Sequence, residues 1–215
     1  RSLNTTQKAQ AINFDRNKYG TFAEIGAGQE VARWFFRVGG AAGTIAKSMS
    51  AYDMAISDAI YGKSQRYVSQ NRLTHMLEHE YKLLHERLAE ERGVESRFFV
   101  YANTIAARSF SRQQDGLGWM GIRFQGNPGQ EPNDIIIHVR LLDEDNLKQQ
   151  EAVGIIGVNL VHAALEYTHD PHEILSSIKE NLEPWRVEVG MARFTGPDYE
   201  DVDNRLIALE LVKQG

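Results

Sequence analysis

The sequence DIIIHVRLL at residues 134–142 decides the fold class. Its apolar residues recur at every second position, which is the pattern of a β-strand with two different faces. One face would be aliphatic, and the other would carry His138 and Arg140. The sequence GWMGIRFQ at residues 118–125 alternates in the same way and places Arg123 on the polar face.

The regions around these two strands extend the pattern into a sheet. Residues 97–105 and 185–194 are β-rich runs and are predicted to be further strands. The turn-forming residues at 126–133 predict that the central strands form an antiparallel meander. Residues 205–212 are also predicted to return to the sheet as a strand.

Residues 29–38 and 52–60 are predicted to be helices, and three further helices are predicted where apolar residues follow a helical period or form a long buried run. These are residues 69–92, 146–167 and 171–182. We therefore predict one α+β domain over residues 1–215, with a mainly antiparallel sheet of five or six strands and helices packed on one face. Within it we distinguish an N-terminal arm (1–18), a glycine-rich helical part (19–93) and a sheet-containing part (94–215).

The composition excludes several classes of function. The chain has a net charge of −5, whereas domains whose main partner is nucleic acid are usually basic. It has no cysteine, which excludes disulfides, thiolate zinc sites and cysteine nucleophiles. No run approaches the roughly 18 apolar residues that a membrane helix needs. We expect a cytoplasmic protein with no nucleic acid and no membrane as partner.

Two glycine clusters at residues 19–58 are candidates for a ligand site. The first, at Gly26 and Gly28, resembles the glycine motif of Rossmann-type proteins, in which a helix start meets a cofactor or an anion. The match is incomplete, because Val31 stands at the third glycine position and no acidic residue follows about 20 positions later. A tight turn with close packing is the alternative, and no cofactor is assigned.

The second cluster, at residues 39–44, includes Gly40 and Gly43 and could cradle a phosphate with Lys47 nearby. It lacks the G-x-x-x-x-G-K-[ST] pattern of a P-loop. A turn of small residues that permits close packing is the alternative interpretation.

The sequence HMLEH at residues 75–79 matches the H-x-x-E-H pattern of some zinc proteases. His75 and His79 fall opposite the apolar stripe of their helix, where a shielded zinc site could not form. We therefore predict no metal site. Glu80, although it lies on the apolar side, is interpreted as an ordinary solvated charge, and no catalytic residue is assigned.

The polar face of the sheet has two interpretations. Arg123, His138 and Arg140 would bind an anion if that face forms a pocket, with His138 able to exchange a proton. A sheet face with few large side chains is also typical of a surface that a second domain or subunit covers. Both interpretations stay open on the sequence alone.

Four stretches resemble the N-terminal portion of a poorly characterised family of large bacterial cytosolic proteins. They are residues 20–62, GWMGIRFQ, DIIIHVRLLD and the run QQEAVGIIGVNLVHAALEY at 149–167. Members of that family are sometimes labelled nicotinate-nucleotide adenylyltransferase. The G-x-F-x-P-x-H signature of that activity does not occur in this sequence, so the resemblance implies a bacterial, cytosolic origin and no residue-by-residue chemistry.

Two functions follow as hypotheses. The first is a non-catalytic binding or assembly module that meets itself or a partner domain through the cationic sheet face. The alternative is a domain or enzyme for a nucleotide or phosphorylated metabolite, held by Gly26, Gly28, Gly40 and Gly43 with Arg123, His138 and Arg140.

Overall fold

The computed structural model describes residues 2–109, 111 and 114–215. The helices are α1 (Thr5–Asn13), α2 (Val31–Arg37), α3 (Met54–Tyr61), α4 (Gln70–Arg92), α5 (Asn146–Glu166), α6 (Pro171–Ser177) and α7 (Asn204–Gln214). The strands are β1 (Lys18–Gly26), β2 (Ile45–Ala51), β3 (Arg97–Ala106), β4 (Gly116–Gln125), β5 (Pro132–Leu141) and β6 (Val187–Thr195).

The six strands form one sheet in the order β2-β1-β3-β4-β5-β6. β1 runs parallel to both of its neighbours, and the remaining pairs are antiparallel. The predicted meander is therefore confirmed as β3-β4-β5, and so is the α+β class with a mostly antiparallel sheet. The parallel pairs at the other end of the sheet were not predicted.

The first face of the sheet carries the larger core. α5 lies on it beside α1 and α2, and its buried side chains fill the space above the aromatic residues of the strands. Representative members of this core are Phe22, Tyr101, Phe124, Ile137, Val153 and Ile156.

The second face is partly covered by α4, which corrects the prediction that helices lie on one face. Leu73, Leu77 and Leu84 of α4 pack against Val100 of β3 and Ile136 of β5. The physical reason is the handedness of parallel crossovers, which are almost always right-handed. The chain moves outward from β1 to β2 through α2 and back to β3 through α4, so the two crossover helices lie on opposite faces.

The long helix begins and ends where the sequence indicates. Ser69 accepts a hydrogen bond from the Arg72 amide at 3.1 Å and caps α4. The Arg72 side chain is fully buried and donates to Asp58 at 3.1 Å and to the Gly62 carbonyl at 2.8 Å. This buried guanidinium therefore ties α4 to the end of α3.

The prediction of a strand at residues 205–212 is wrong, because this region is helix α7. Asp203 accepts a hydrogen bond from the Arg205 amide at 2.9 Å and begins the helix. Ile207 and Leu211, four residues apart, are the buried positions of α7, which packs against β6. The helix predicted at 171–182 ends earlier than expected, at Ser177.

Among the helices described, none combines the length and the apolar character that crossing a lipid bilayer requires.

Close packing between α5 and α2 generates a stability prediction at Gly157. An added Cβ there would overlap the branched side chain of Val31 and lie 2.9 Å from the Tyr101 hydroxyl. Because of this overlap, Gly157→Ala should lower the free energy of unfolding by about 1–3 kcal/mol. The effect should appear even though alanine is more favourable than glycine inside a helix by about 1 kcal/mol. Urea denaturation measures the difference.

Two other glycines give graded controls for this experiment. At Gly154 the nearest atom to an added Cβ is Trp34 Nε1 at 3.0 Å, so Gly154→Ala should cost less. At Gly43 no atom lies within 4 Å, so Gly43→Ala should be nearly neutral. Equal stability of all three variants would show that α5 does not pack against Val31 as described.

Candidate functional site

The first glycine cluster lies at the end of β1, where the chain turns towards α2. Gly26 has a φ of 77°, and an added Cβ would overlap the carbonyl oxygen of Ile105. An added Cβ at Gly28 would overlap the side chain of Asn103. Both positions need glycine because β3 lies directly against this turn.

The carboxylate of Glu24 occupies the donors that a ligand would need at this turn. It accepts hydrogen bonds from the amides of Val31 at 2.9 Å and Ala32 at 3.4 Å, and from Asn103 Nδ2 at 3.3 Å. Glu24 is buried, and burial raises the pKa of its carboxyl to about 7. The first amides of α2 are therefore engaged by the protein's own carboxylate.

Asn103 connects the turn to the core of the first face. Its Nδ2 also donates to the Gly28 carbonyl and to the Tyr101 hydroxyl, both at 3.0 Å. Burial raises the pKa of Tyr101 well above its usual value. The geometry around Gly26 and Gly28 supports a packed structural turn more than an anion site.

The second glycine cluster lies at the opposite end of β1. Gly39 and Gly40 have φ values of 82° and 79°, and the Asn13 side chain donates to the carbonyls of Phe35 and Gly39, each at 2.8 Å. Because Gly20 pairs with Ile45 at this end, the loop is separated from Gly26 by six residues of strand, about 20 Å. The structure does not bring the two glycine clusters together.

The polar residues of the second face fall into two separated groups. Arg123 lies beside Asp134 and binds both of its carboxylate oxygens at 2.8 Å. His138 and Arg140 lie further along β5, and His138 is four residues from Asp134, which corresponds to about 13 Å. Arg123 therefore does not share a pocket with His138 and Arg140.

The second group forms a surface that we call the open strip. It consists of two rows across β4, β5 and β6, in which directly opposed residues share one face. The rows are Trp119–His138–Met191 and Leu117–Arg140–Glu188.

The open strip is half-exposed and its charges are paired. Arg140 donates to Asp115 at 2.7 Å and to Glu188 at 3.2 Å. The His138 ring meets the Trp119 ring edge-to-face, with centroids 4.8 Å apart. Burial lowers the pKa of His138, and the neighbouring Arg140 guanidinium lowers it further, which favours the neutral imidazole.

A third polar cluster, missed by the sequence analysis, lies between β2 and α4. Glu80 is 1% exposed, so its interpretation as a solvated charge is wrong. Lys47 Nζ lies 2.6 Å from one Glu80 oxygen, and the Tyr61 hydroxyl donates to the other at 3.0 Å. The signal that could have revealed it was the position of Glu80 on the apolar stripe of its helix.

Within the ranges that the structure describes, no group of three or more histidine and carboxylate side chains is arranged to hold a metal ion. His79 instead lies edge-to-face with Tyr61, with ring centroids 5.5 Å apart. His75 and His79 are both partly exposed.

The chain matches no protein-family model and no curated protein sequence. Its fold is similar to that of a competence-damaged protein (CinA) superfamily protein from Klebsiella pneumoniae, with a TM-score of 0.52 and 12% identity over 77% of this chain and 99% of that one. A superfamily protein from Enterobacter cloacae gives a TM-score of 0.51 and 13% identity over 77% and 94% of the two chains.

A competence or damage-inducible protein from Enterobacter asburiae is similar to the same degree, with a TM-score of 0.51 and 13% identity over 76% and 99% of the two chains. These likenesses establish the fold alone. The similar structures are bacterial proteins described as competence-damaged or damage-inducible, and none of the three is described as a nicotinate-nucleotide adenylyltransferase.

The buried Glu24 generates a prediction about stability and pH. Its pKa is about 7 in the folded protein against 4.5 for an ordinary glutamate side chain, so the folded state gains stability from the protonated form. That gain should be complete below about pH 4.5 and should disappear as the pH rises through 7, a loss of roughly 3 kcal/mol. Glu24→Gln should remove this pH dependence of the free energy of unfolding.

Denaturant titrations between pH 4 and 8 measure the effect as the difference between the wild type and Glu24→Gln. Glu86→Gln is the matched control, because that carboxylate on α4 is 58% exposed and its loss should leave the pH curve nearly unchanged. Parallel pH curves for the wild type and Glu24→Gln would contradict the assignment.

Proposed function

We propose that this chain is a non-catalytic assembly module that forms a dimer through the open strip. The observation that carries the proposal is the composition of the strip: three apolar side chains, Leu117, Trp119 and Met191, lie in the same two rows as an arginine that is already paired with two carboxylates. Tryptophan, methionine and arginine are the residues enriched at protein interfaces.

The charge pairing within the strip favours a protein partner over a phosphate. Arg140 already binds Asp115 and Glu188, and Arg123 binds both oxygens of Asp134. A phosphate would have to displace these carboxylates, whereas a protein surface can cover a neutralised pair at a lower desolvation cost. The engaged amides at Gly26 and Gly28 support the same conclusion.

A second copy of the chain is the partner that the strip fits best. A two-fold interface needs a patch that is complementary to itself. The strip carries a cation, Arg140, beside an anion, Glu188, on adjacent strands, so a two-fold rotation can bring the Arg140 of one copy towards the Glu188 of the other. We also infer a bacterial and cytoplasmic origin, which the likeness in fold to bacterial proteins supports.

Sedimentation velocity over a wide range of protein concentration tests the dimer. We expect a concentration-dependent dimer whose dissociation constant rises about tenfold or more in Leu117→Lys, as for an interface residue that contributes over 1 kcal/mol. Leu117 is 38% exposed in the monomer, so this substitution should leave the fold intact, which circular dichroism and thermal denaturation check.

Leu206→Lys is the matched control, because Leu206 is 61% exposed on the outer side of α7. Its dissociation constant should equal that of the wild type. A monomer at all concentrations would overturn the proposal, and so would a dimer that Leu206→Lys disrupts and Leu117→Lys does not.

A thermal-shift screen with inorganic phosphate, AMP and ATP tests the nucleotide or phosphometabolite hypothesis directly. The proposed module should show no shift beyond that of sodium chloride at the same ionic strength. A strong stabilisation that is lost in Arg140→Ala would overturn the proposal in favour of a phosphate site.

A further inference from the structure

A small cavity opens at the β2 edge of the sheet, beneath the C-terminal half of α4. We call it the edge cavity. Its volume is about 200 Å³. Strands β1 and β2 form one wall through Thr21, Ala46 and Lys47, and α4 forms the other. It is separate from the open strip, which lies across β4, β5 and β6.

The polar groups of the edge cavity include donors that the protein leaves free. Lys47 Nζ forms an ion pair with Glu80 at 2.6 Å, and this contact engages only part of an ammonium group that has three donors. The Lys47 side chain is 38% exposed, so its remaining donors can bind a ligand. In the described part of the chain, Arg87 forms no ion pair, and the Thr21 hydroxyl forms no hydrogen bond.

The remaining lining is apolar. Leu83, Leu84 and Leu88 of α4 face the cavity beside Ala46 of β2. Leu84 is buried, and Leu83 and Leu88 are half-buried. An aliphatic wall with a few converging polar groups is the lining of a small-molecule site, and the volume of about 200 Å³ limits it to a small ligand.

The charges of the edge cavity select the class of ligand. Lys47 and Arg87 supply two positive charges, and the buried Glu80 supplies one negative charge, which leaves a net charge of +1 for a ligand to neutralise. A monoanion matches this balance, whereas a phosphate dianion would be repelled by Glu80. The leucine wall requires an apolar body behind the anionic group.

We propose that the edge cavity binds a small amphipathic monocarboxylate. The carboxylate lies between Lys47 and Arg87, with the Thr21 hydroxyl as a further donor, and the aliphatic or aromatic tail lies against Leu83 and Leu84. Charge-assisted hydrogen bonds orient the head and contribute a large part of the affinity, and burial of the tail contributes the rest.

Isothermal titration calorimetry with hexanoate tests this site. We expect saturable binding with a dissociation constant of about 1 mM, as for a ligand of this size. Hexanol and hexylamine have the same tail without the carboxylate and should bind far more weakly. Inorganic phosphate should not bind.

Three variants locate the binding. Arg87→Gln should weaken hexanoate binding about three- to fivefold, the usual effect of an exposed ion pair. Leu83→Trp should fill the cavity and abolish binding without a change in charge. Arg33→Gln is the matched control: it removes the same charge from α2, on the opposite face of the sheet, and should bind hexanoate as the wild type does.

The proposal is overturned if hexanoate shows no saturable binding or binds no better than hexylamine. It is also overturned if Arg87→Gln binds hexanoate with unchanged affinity. The exposed Arg87 substitution does not affect the core, so it remains decisive even if Leu83→Trp does not fold. Binding by phosphate in place of hexanoate would overturn the assigned ligand class.

Discussion

The hydrogen bonds of the buried Glu24 carboxylate hold together the part of the molecule where three elements meet. Glu24 lies on β1. Its carboxylate accepts hydrogen bonds from the first amides of α2 and from the Asn103 side chain of β3. Open sheets with parallel strands often bind ligands at the carboxyl ends of those strands. Here that place is filled by the protein's own polar side chains, so the surfaces that we propose as functional lie elsewhere on the sheet.

The handedness of the two parallel crossovers then decides where those surfaces lie. α2 lies on the first face and α4 lies on the second, so helices cover part of each face of the sheet. α4 lies over the middle of the sheet, against Val100 of β3 and Gly121 of β4. The open strip lies on one side of α4, and the edge cavity opens on the other side, between α4 and strands β1 and β2.

The sequence predicts those elements whose period is clear, and it does not predict what depends on register or handedness. The alternation at 134–142 and the capped periodic run at 69–92 are local signals, and both elements are confirmed. Residues 205–212 are apolar at nearly every position, so their period does not distinguish a strand from a helix. The partners of Arg123 and Arg140 depend on strand register and on a loop, so the sequence indicated free cations where the structure pairs them.

The pairing of charges distinguishes the open strip from the edge cavity. On the open strip, Arg140 contacts two carboxylates, and the apolar side chains of Leu117, Trp119 and Met191 lie in the same two rows. In the edge cavity, Lys47 and Arg87 face a single carboxylate, Glu80. A region whose cations are fully paired favours a flat protein surface as its partner. A concave region with one unpaired cation favours a small anion. The reason is that the cost of removing water from the cation is offset only where the ligand supplies the missing negative charge.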